Sequence, residues 1–167
     1  RRLRPRNNHI MGHVRNYSAA ADRRLGYSSA DLTGALEALD IQRGSVLMMH
    51  SSLLHLGRMH GVAIRDTART VVGGISNHLG PAGTLAVPAP NWDYGVKRQP
   101  FDIATTPVTK MLGVVSSHIN GLPGRRRSAN PIFSIAAVGA LAANICGGYS
   151  TNAFGYDSPW QRMFDFD

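Results

Sequence analysis

Cysteine is nearly absent from this 167-residue chain, where Cys146 stands alone. A single thiol excludes an internal disulfide framework and any zinc site built from several thiolates. It fits a reducing compartment, with the cytoplasm as the expected location. Long apolar runs are missing as well: the longest nearly uncharged one, residues 135–145, falls far short of the roughly 20 residues that a membrane-spanning helix needs. Aromatic residues make up 7% of the chain, and ten acidic side chains stand against eighteen basic ones. No Walker-type or dinucleotide-binding glycine pattern occurs, because Gly73-Gly74 falls in a helical stretch and Gly80-x-x-Gly83 lacks the following lysine. Nucleotide hydrolysis and hydride transfer therefore lose their main support.

What is present suffices for a core: 43% of residues are hydrophobic and 17% charged, a balance that offsets the entropy of ordering. The net charge of +8 is concentrated at one end. Arg1, Arg2, Arg4, Arg6, Arg15, Arg23 and Arg24 against Asp22 place most of it in the first 24 residues. Residues 1–26 thus read as a basic, disordered arm, and residues 27–167 as the folding part. The arm lacks an apolar core and a small-residue cleavage site, so it is no secretory signal. Met11 is a candidate start of translation. Binding of RNA through the arm alone is the reading from a different functional class.

Ser28 or Ser29 is placed to cap a helix whose Leu32, Ala35, Leu36 and Leu39 form one stripe. Val46-Leu47-Met48-Met49 reads as a buried strand running into His50-Ser51-Ser52-Leu53. A second helix carries Ile64, Ala68, Val71, Val72, Ile75 and Leu79, and a strand over residues 84–87 closes at Pro88. Residues 88–101 form a long loop, of the kind that is often functional. Thr106-Pro107 suggests a cap and first helical position for a helix containing Met111, Leu112, Val115 and Ile119. Residues 132–138 read as a strand and 139–146 as a helix. Strands alternating with helices predict an α/β fold with a mixed, largely parallel sheet flanked by helices.

Three groups could carry chemistry. Ser51 and Ser52 sit where a strand ends, the place where ligands bind in open α/β sheets; ordinary capping is the plainer alternative. His50, His55 and His60 are spaced by five, which does not put them on one helical face. The His9/His13 pair has no carboxylate or thiolate support, so no metal site is expected. Arg125, Arg126 and Arg127 next to Ser128 suit phosphate oxygens, or else form a solvated face.

Six stretches occur in an order that resembles the aminoglycoside 3-N-acetyltransferase family: 44–53 (GSVLMMHSSL), 80–88 (GPAGTLAVP), 100–102 (PFD), 106–116 (TPVTKMLGVVS), 127–131 (RSANP) and Ser158-Pro159. The resemblance covers the chain from about Tyr27 onward and implies transfer of acetyl from acetyl-CoA to an amino group of an aminoglycoside antibiotic, a resistance activity. It implies that His50, Ser51, Ser52, Leu53 and Thr84 line the coenzyme cleft together with Arg127 and Ser128. It also implies that Trp92, Asp93 and Tyr94 face a small-molecule amino-sugar acceptor.

Two departures shape the expectation. Asn130 stands where the family usually has a histidine, and Asn cannot take up a proton at neutral pH. The family's general-base histidine and its acidic partner lie C-terminal to the Ser-Pro motif, beyond Asp167. The chain is therefore expected to be the N-terminal part of such an enzyme, with a fold incomplete at the C-terminus and negligible turnover on its own. Lys97 and Arg98 in the acceptor loop leave open a relative that acetylates an amino sugar in nucleotide-linked or polysaccharide synthesis. An inactive fragment is the remaining alternative.

Overall fold

The structure is a computed structural model, and it describes residues 26–150 and 152–166. The basic arm with Met11 and the His9/His13 pair lies outside the described residues. At the first helix, the Asp31 N–H donates to Ser28 Oγ at 3.2 Å while the Ser28 N–H donates to the Asp31 carboxylate at 2.7 Å. This reciprocal capping box opens α1 (Ser29–Ala38). Only part of the expected stripe is covered: Leu36 is buried and Leu32 half-buried, whereas Ala35 and Leu39 are exposed.

β1 (Val46–Met48) leads through the one-turn helix α2 (Leu53–Leu56) to α3 (Thr67–Leu79). α3 buries Val71, Val72, Ile75 and Leu79 along one face, as its period demands. Then come β2 (Thr84–Pro88), α4 (Asp93–Lys97), α5 (Gly113–Asn120), β3 (Arg126–Arg127), β4 (Ile135–Gly139), α6 (Ala142–Cys146) and α7 (Pro159–Asp165).

The four strands form a mixed sheet in the order β1-β2-β4-β3. β1 and β2 are parallel, while β2/β4 and β3/β4 are antiparallel. The sheet has less parallel character than expected: residues 128–134 give β3 and β4 a hairpin-length link where a parallel return needs a crossover of about a dozen residues, and β4 then also lies antiparallel to β2. Gly139 permits the β2/β4 register: it sits at φ 122°, and a Cβ there would meet Gly83 O at 2.2 Å.

Helices cover both faces. Leu85, Val87 and Ala136 pack with α1, α3 and α5 on one side. Ala86, Ile135 and Ala137 pack with Ala142, Ile145, Cys146 and Met163 of α6 and α7 on the other. Burying each large aliphatic side chain contributes about 1.5–3 kcal/mol.

Other local expectations are corrected. Thr106 caps no helix: its hydroxyl accepts from the Asp102 N–H at 2.7 Å, and its N–H donates to Asp102 O. The helix starts instead at Gly113, after a short 3-10 turn over Lys110–Leu112. The strand expected from residue 132 begins at Ile135, because Asn130 Oδ1 accepts from the Ile132 and Phe133 N–H groups at 3.0 Å and holds them in a turn.

Burial pushes the Cys146 thiol from 9.0 up to about 12. The folded chain keeps a proton that the unfolded chain releases, so this contribution is intact below about pH 9 and is lost as pH rises toward about 12. Relative to Cys146→Ala, denaturant unfolding should show stability declining by up to about 1.4 kcal/mol per pH unit across that window. Parallel pH profiles for the two proteins would contradict the burial effect.

Candidate functional site

Parallel neighbours end side by side. Met48 lies opposite Ala86, and the Met49 N–H donates to Ala86 O at 2.8 Å, so the chain leaves β1 at His50 next to where it leaves β2 at Pro88. His50, Ser51, Ser52 and Pro88 form one wall of an open cleft of about 350 Å³. Met111, Leu112 and Ser116 form the other. α5 begins with Gly113 at φ 79°, a left-handed turn that brings the helix start close to the Ser51 carbonyl. The Gly113 N–H is spent on Lys110 O, so the polar side chains that line the cleft are His50, Ser51, Ser52 and Ser116, whose hydroxyls suit anionic or carbonyl oxygens.

Within this wall Leu53 packs against the main core and anchors α2. Ser52 is the residue preceding α2, and its hydroxyl shares a hydrogen bond of 2.8 Å with His55 Nδ1. The sequence reading missed this pair; the three-residue spacing at a helix start was the available signal. His50 lies against Trp160 with ring centroids 6.2 Å apart. Trp160 is delivered by the Ser158-Pro159 motif: Ser158 Oγ accepts from the Gln161 N–H at 3.1 Å, and Pro159 fills the first helical position of α7. Phe154 and Phe133 extend the aromatic row, with successive centroid distances of 5.5 and 4.8 Å. That row was also missed, since its members are far apart in sequence.

Three expected cleft residues sit elsewhere or face inward. Thr84 is opposite Val46 at the amino end of β2. At about 3.3 Å per residue it is some 13 Å from the cleft end of its strand. It is fully buried, and its hydroxyl accepts from the Leu141 N–H at 2.9 Å. Strand direction, which a linear motif does not reveal, separates it from Ser52. Arg127 and Ser128 lie at the cleft end of the sheet but inside it, 4% and 1% exposed.

The basic loop is thus corrected to a strand whose last residue points inward. Arg127 donates to the carbonyls of Ala89 and Thr106 and lies over the Phe101 ring at 4.7 Å. Ser128 Oγ accepts from the Ile135 N–H at 2.9 Å. Burial, with the positive charge of Arg125 second, lowers the Arg127 guanidinium to about 10, so it remains a cation at neutral pH.

The expected acceptor loop is partly helical. Trp92 and Tyr94 flank the start of α4 and are both 41% exposed, while Asp93 pairs with Lys97 at 3.1 Å. Asn91 steadies this segment by donating to Pro107 O at 2.8 Å and accepting from the Tyr94 N–H at 3.1 Å. Among the described residues no cluster of His, Cys, Asp and Glu could hold a metal ion, and no helix is long and apolar enough to cross a membrane.

A mixed sheet between two helical layers, with a cleft at parallel strand ends, is a fold that solved acetyltransferases share. The apoenzyme of aminoglycoside acetyltransferase AAC(3)-IVa superimposes with a TM-score of 0.73 at 33% identity, covering 86% of this chain and 53% of that one. A histidine-to-alanine mutant of the same enzyme in complex with apramycin superimposes with a TM-score of 0.67 at 34% identity, covering 86% and 55%. The model of the aminoglycoside 3-N-acetyltransferase family matches residues 48–167, and the chain belongs to that family. Aminoglycoside N(3)-acetyltransferase IV of Salmonella is 39% identical over 119 residues, which is 71% of this chain and 42% of that protein. The chain therefore spans about half the length of the curated relatives it matches.

Replacing Arg127 by Met keeps an aliphatic stem but leaves the Thr106 carbonyl without its donor. Destabilisation of about 2–4 kcal/mol is expected. Arg127→Lys should restore less than half of it, because an ammonium cannot fork to two carbonyls in the fixed guanidinium geometry. Denaturant midpoints of the three proteins decide the matter; a Lys variant equal to wild type would contradict the bridging role.

Proposed function

We propose that this chain supplies the acetyl-CoA side of an aminoglycoside 3-N-acetyltransferase site, with the coenzyme arm in the His50–Ser52 cleft. The observation that carries the reading is that Ser51, Ser52 and Ser116 line one opening at the strand ends. Hydroxyl donors there suit the amide carbonyls and phosphates of the coenzyme. Leu53 holds the loop, and Arg127 with Ser128 and Thr84 acts from behind as scaffold. In the transfer, an amino group of the acceptor attacks the thioester carbonyl, the C–S bond breaks, and the amine proton passes to a base. We assign that base to the half of the family fold this chain does not match. Asn130 is engaged in a turn, His55 is bonded to Ser52, and the ring of His50 in the cleft wall lies against Trp160. A reaction drawing on acetyl-CoA fits the cytoplasm.

The relative solved with apramycin supports an aminoglycoside acceptor. Trp92 and Tyr94 are exposed enough to stack on a sugar ring. Asp93 is available to an ammonium only by exchanging Lys97 for it, a modest cost for an exposed pair. The same pairing weakens the alternative of an anionic, nucleotide-linked acceptor, since Lys97 is not a lone cation.

Hydrogen exchange of the 167-residue chain should slow around His50–Leu53 and the first turn of α5 when CoA is added, and Ser52→Ala should weaken CoA binding by about ten-fold. Exchange that is unchanged at millimolar CoA would end this reading. Acetylation of apramycin at an ordinary enzymatic rate, about 1 per second or more, would overturn the assignment of the base to the unmatched half.

A further inference from the structure

Ser52 stands where a capping serine ordinarily accepts a backbone N–H from the first turn of the helix that follows. Its hydroxyl does not take that bond. The natural donor, the His55 N–H, goes to the Ser52 carbonyl at 3.0 Å instead. The hydroxyl turns to the His55 side chain, with Nδ1 2.8 Å from Oγ. Helix α2 is held by Leu53, which packs against the main core, so the hydroxyl–imidazole bond is spare to the requirements of the helix.

The two partners face different surroundings. Ser52 lines the cleft beside His50 and Ser51. His55 is exposed on α2 and is not among the lining residues, so its ring acts on a bound molecule through Ser52. A serine hydroxyl on its own turns among three staggered positions, and a ligand that uses it must fix one of them at a cost in entropy. The hydroxyl also has one hydrogen and two lone pairs. A ring nitrogen that accepted the hydrogen would leave the cleft only lone pairs. A ring N–H that occupies a lone pair leaves the hydrogen free and makes it a stronger donor.

We propose that His55 is a positioning residue: its Nδ1–H donates to Ser52 Oγ and frees the serine hydrogen for a carbonyl or phosphate oxygen of the coenzyme in the cleft. The proposal rests on the coenzyme reading of that cleft and adds to it the direction of one hydrogen bond and the side chain that sets it.

The test titrates CoA into the 167-residue chain and its His55 variants, each made with Ser52 present and in the Ser52→Ala background. His55→Ala should weaken binding about five-fold, the worth of one ordinary hydrogen bond. His55→Asn places an amide N–H on the same branch as Nδ1 and should recover at least half of that loss. His55→Asp has the same size but no hydrogen to give, draws the serine hydrogen to itself and should recover none. Repulsion between its charge and the anionic coenzyme persists in the Ser52→Ala background and is subtracted there. In that background His55→Ala and His55→Asn should bind CoA equally well. Thermal unfolding of every His55 variant should stay within a few degrees of wild type, because the side chain is exposed. Proton–nitrogen NMR spectra of the wild-type imidazole should show a hydrogen on His55 Nδ1. A bare Nδ1 overturns the proposal. So does binding by His55→Asp that equals that of His55→Asn after the subtraction, and so does a His55→Ala loss of the same size with and without the Ser52 hydroxyl. These three results leave the coenzyme reading standing. A wild-type chain that binds no CoA overturns that reading and the proposal together.

Discussion

The parallel pairing of β1 with β2 is the constraint on which the site depends. Because the two strands run the same way, their carboxyl ends lie together, and His50–Ser52 meets Pro88 without any contact between those side chains having to form first. Two apolar clusters hold the register. A slip of one residue would send Leu47 and Met49 toward α6 and α7 and turn Val46 and Met48 toward α3 and α5, mismatching both cores at once. The antiparallel β2/β4 pairing then adds the second half of the platform, and its closeness is allowed by Gly139, where a side chain would meet the Gly83 carbonyl.

Arg127 turns that platform into a site. Among the described residues its guanidinium has no carboxylate partner; carbonyl oxygens of two loops, the Ser134 hydroxyl and the face of Phe101 surround it. A buried cation is costly unless its donors are used, and here the donors are used to join the segment after β2 to the segment before α5. Those segments carry the two walls of the cleft. The separation between the strand-end serines and the amino end of α5 is therefore set by a residue that touches neither.

The sequence made the apolar skeleton readable. The stripe of α3, the strand at Val46, the strand closed by Pro88 and the capping serine at Ser28 all follow from local rules that tertiary contacts did not override. The strand-end serines were legible for the same reason, since an apolar run stopping at His50-Ser51-Ser52 marks where a strand gives way to a loop. Direction in space was not legible. Thr84 and Ser52 both flank strands, but one sits where a strand begins and the other where one ends, and a linear motif cannot tell these apart. Arg127 carried the opposite signal from its role: three successive arginines resemble a solvated face, and only the alternation of β3 turns the last of them inward while Arg126 stays exposed. Thr106-Pro107 failed through competition, because the Asp102 N–H takes the Thr106 hydroxyl and Pro90 O takes the Thr109 N–H, the two groups that a cap at Thr106 would have joined.

The polarity of the cleft has the same origin as its geometry. Acidic side chains are few, and most of those described are held locally: Asp31 by the cap of α1, Asp40 by Gln42, Asp66 beside Arg65, Asp93 by Lys97, Asp157 by Arg162 and Asp165 by Gln161. Asp102 is held below the usual carboxylate range, first by the Thr105 hydroxyl and then by neighbouring backbone N–H groups. None of these carboxylates lines the cleft, whose walls present the His50 ring, serine hydroxyls and thioether or aliphatic carbon. The hydroxyls suit electron-rich oxygen, and the His50 ring is the one ionisable side chain among the lining residues. The cleft is thus polar without being acidic, a character set by where two parallel strands end and not by any carboxylate aimed into it.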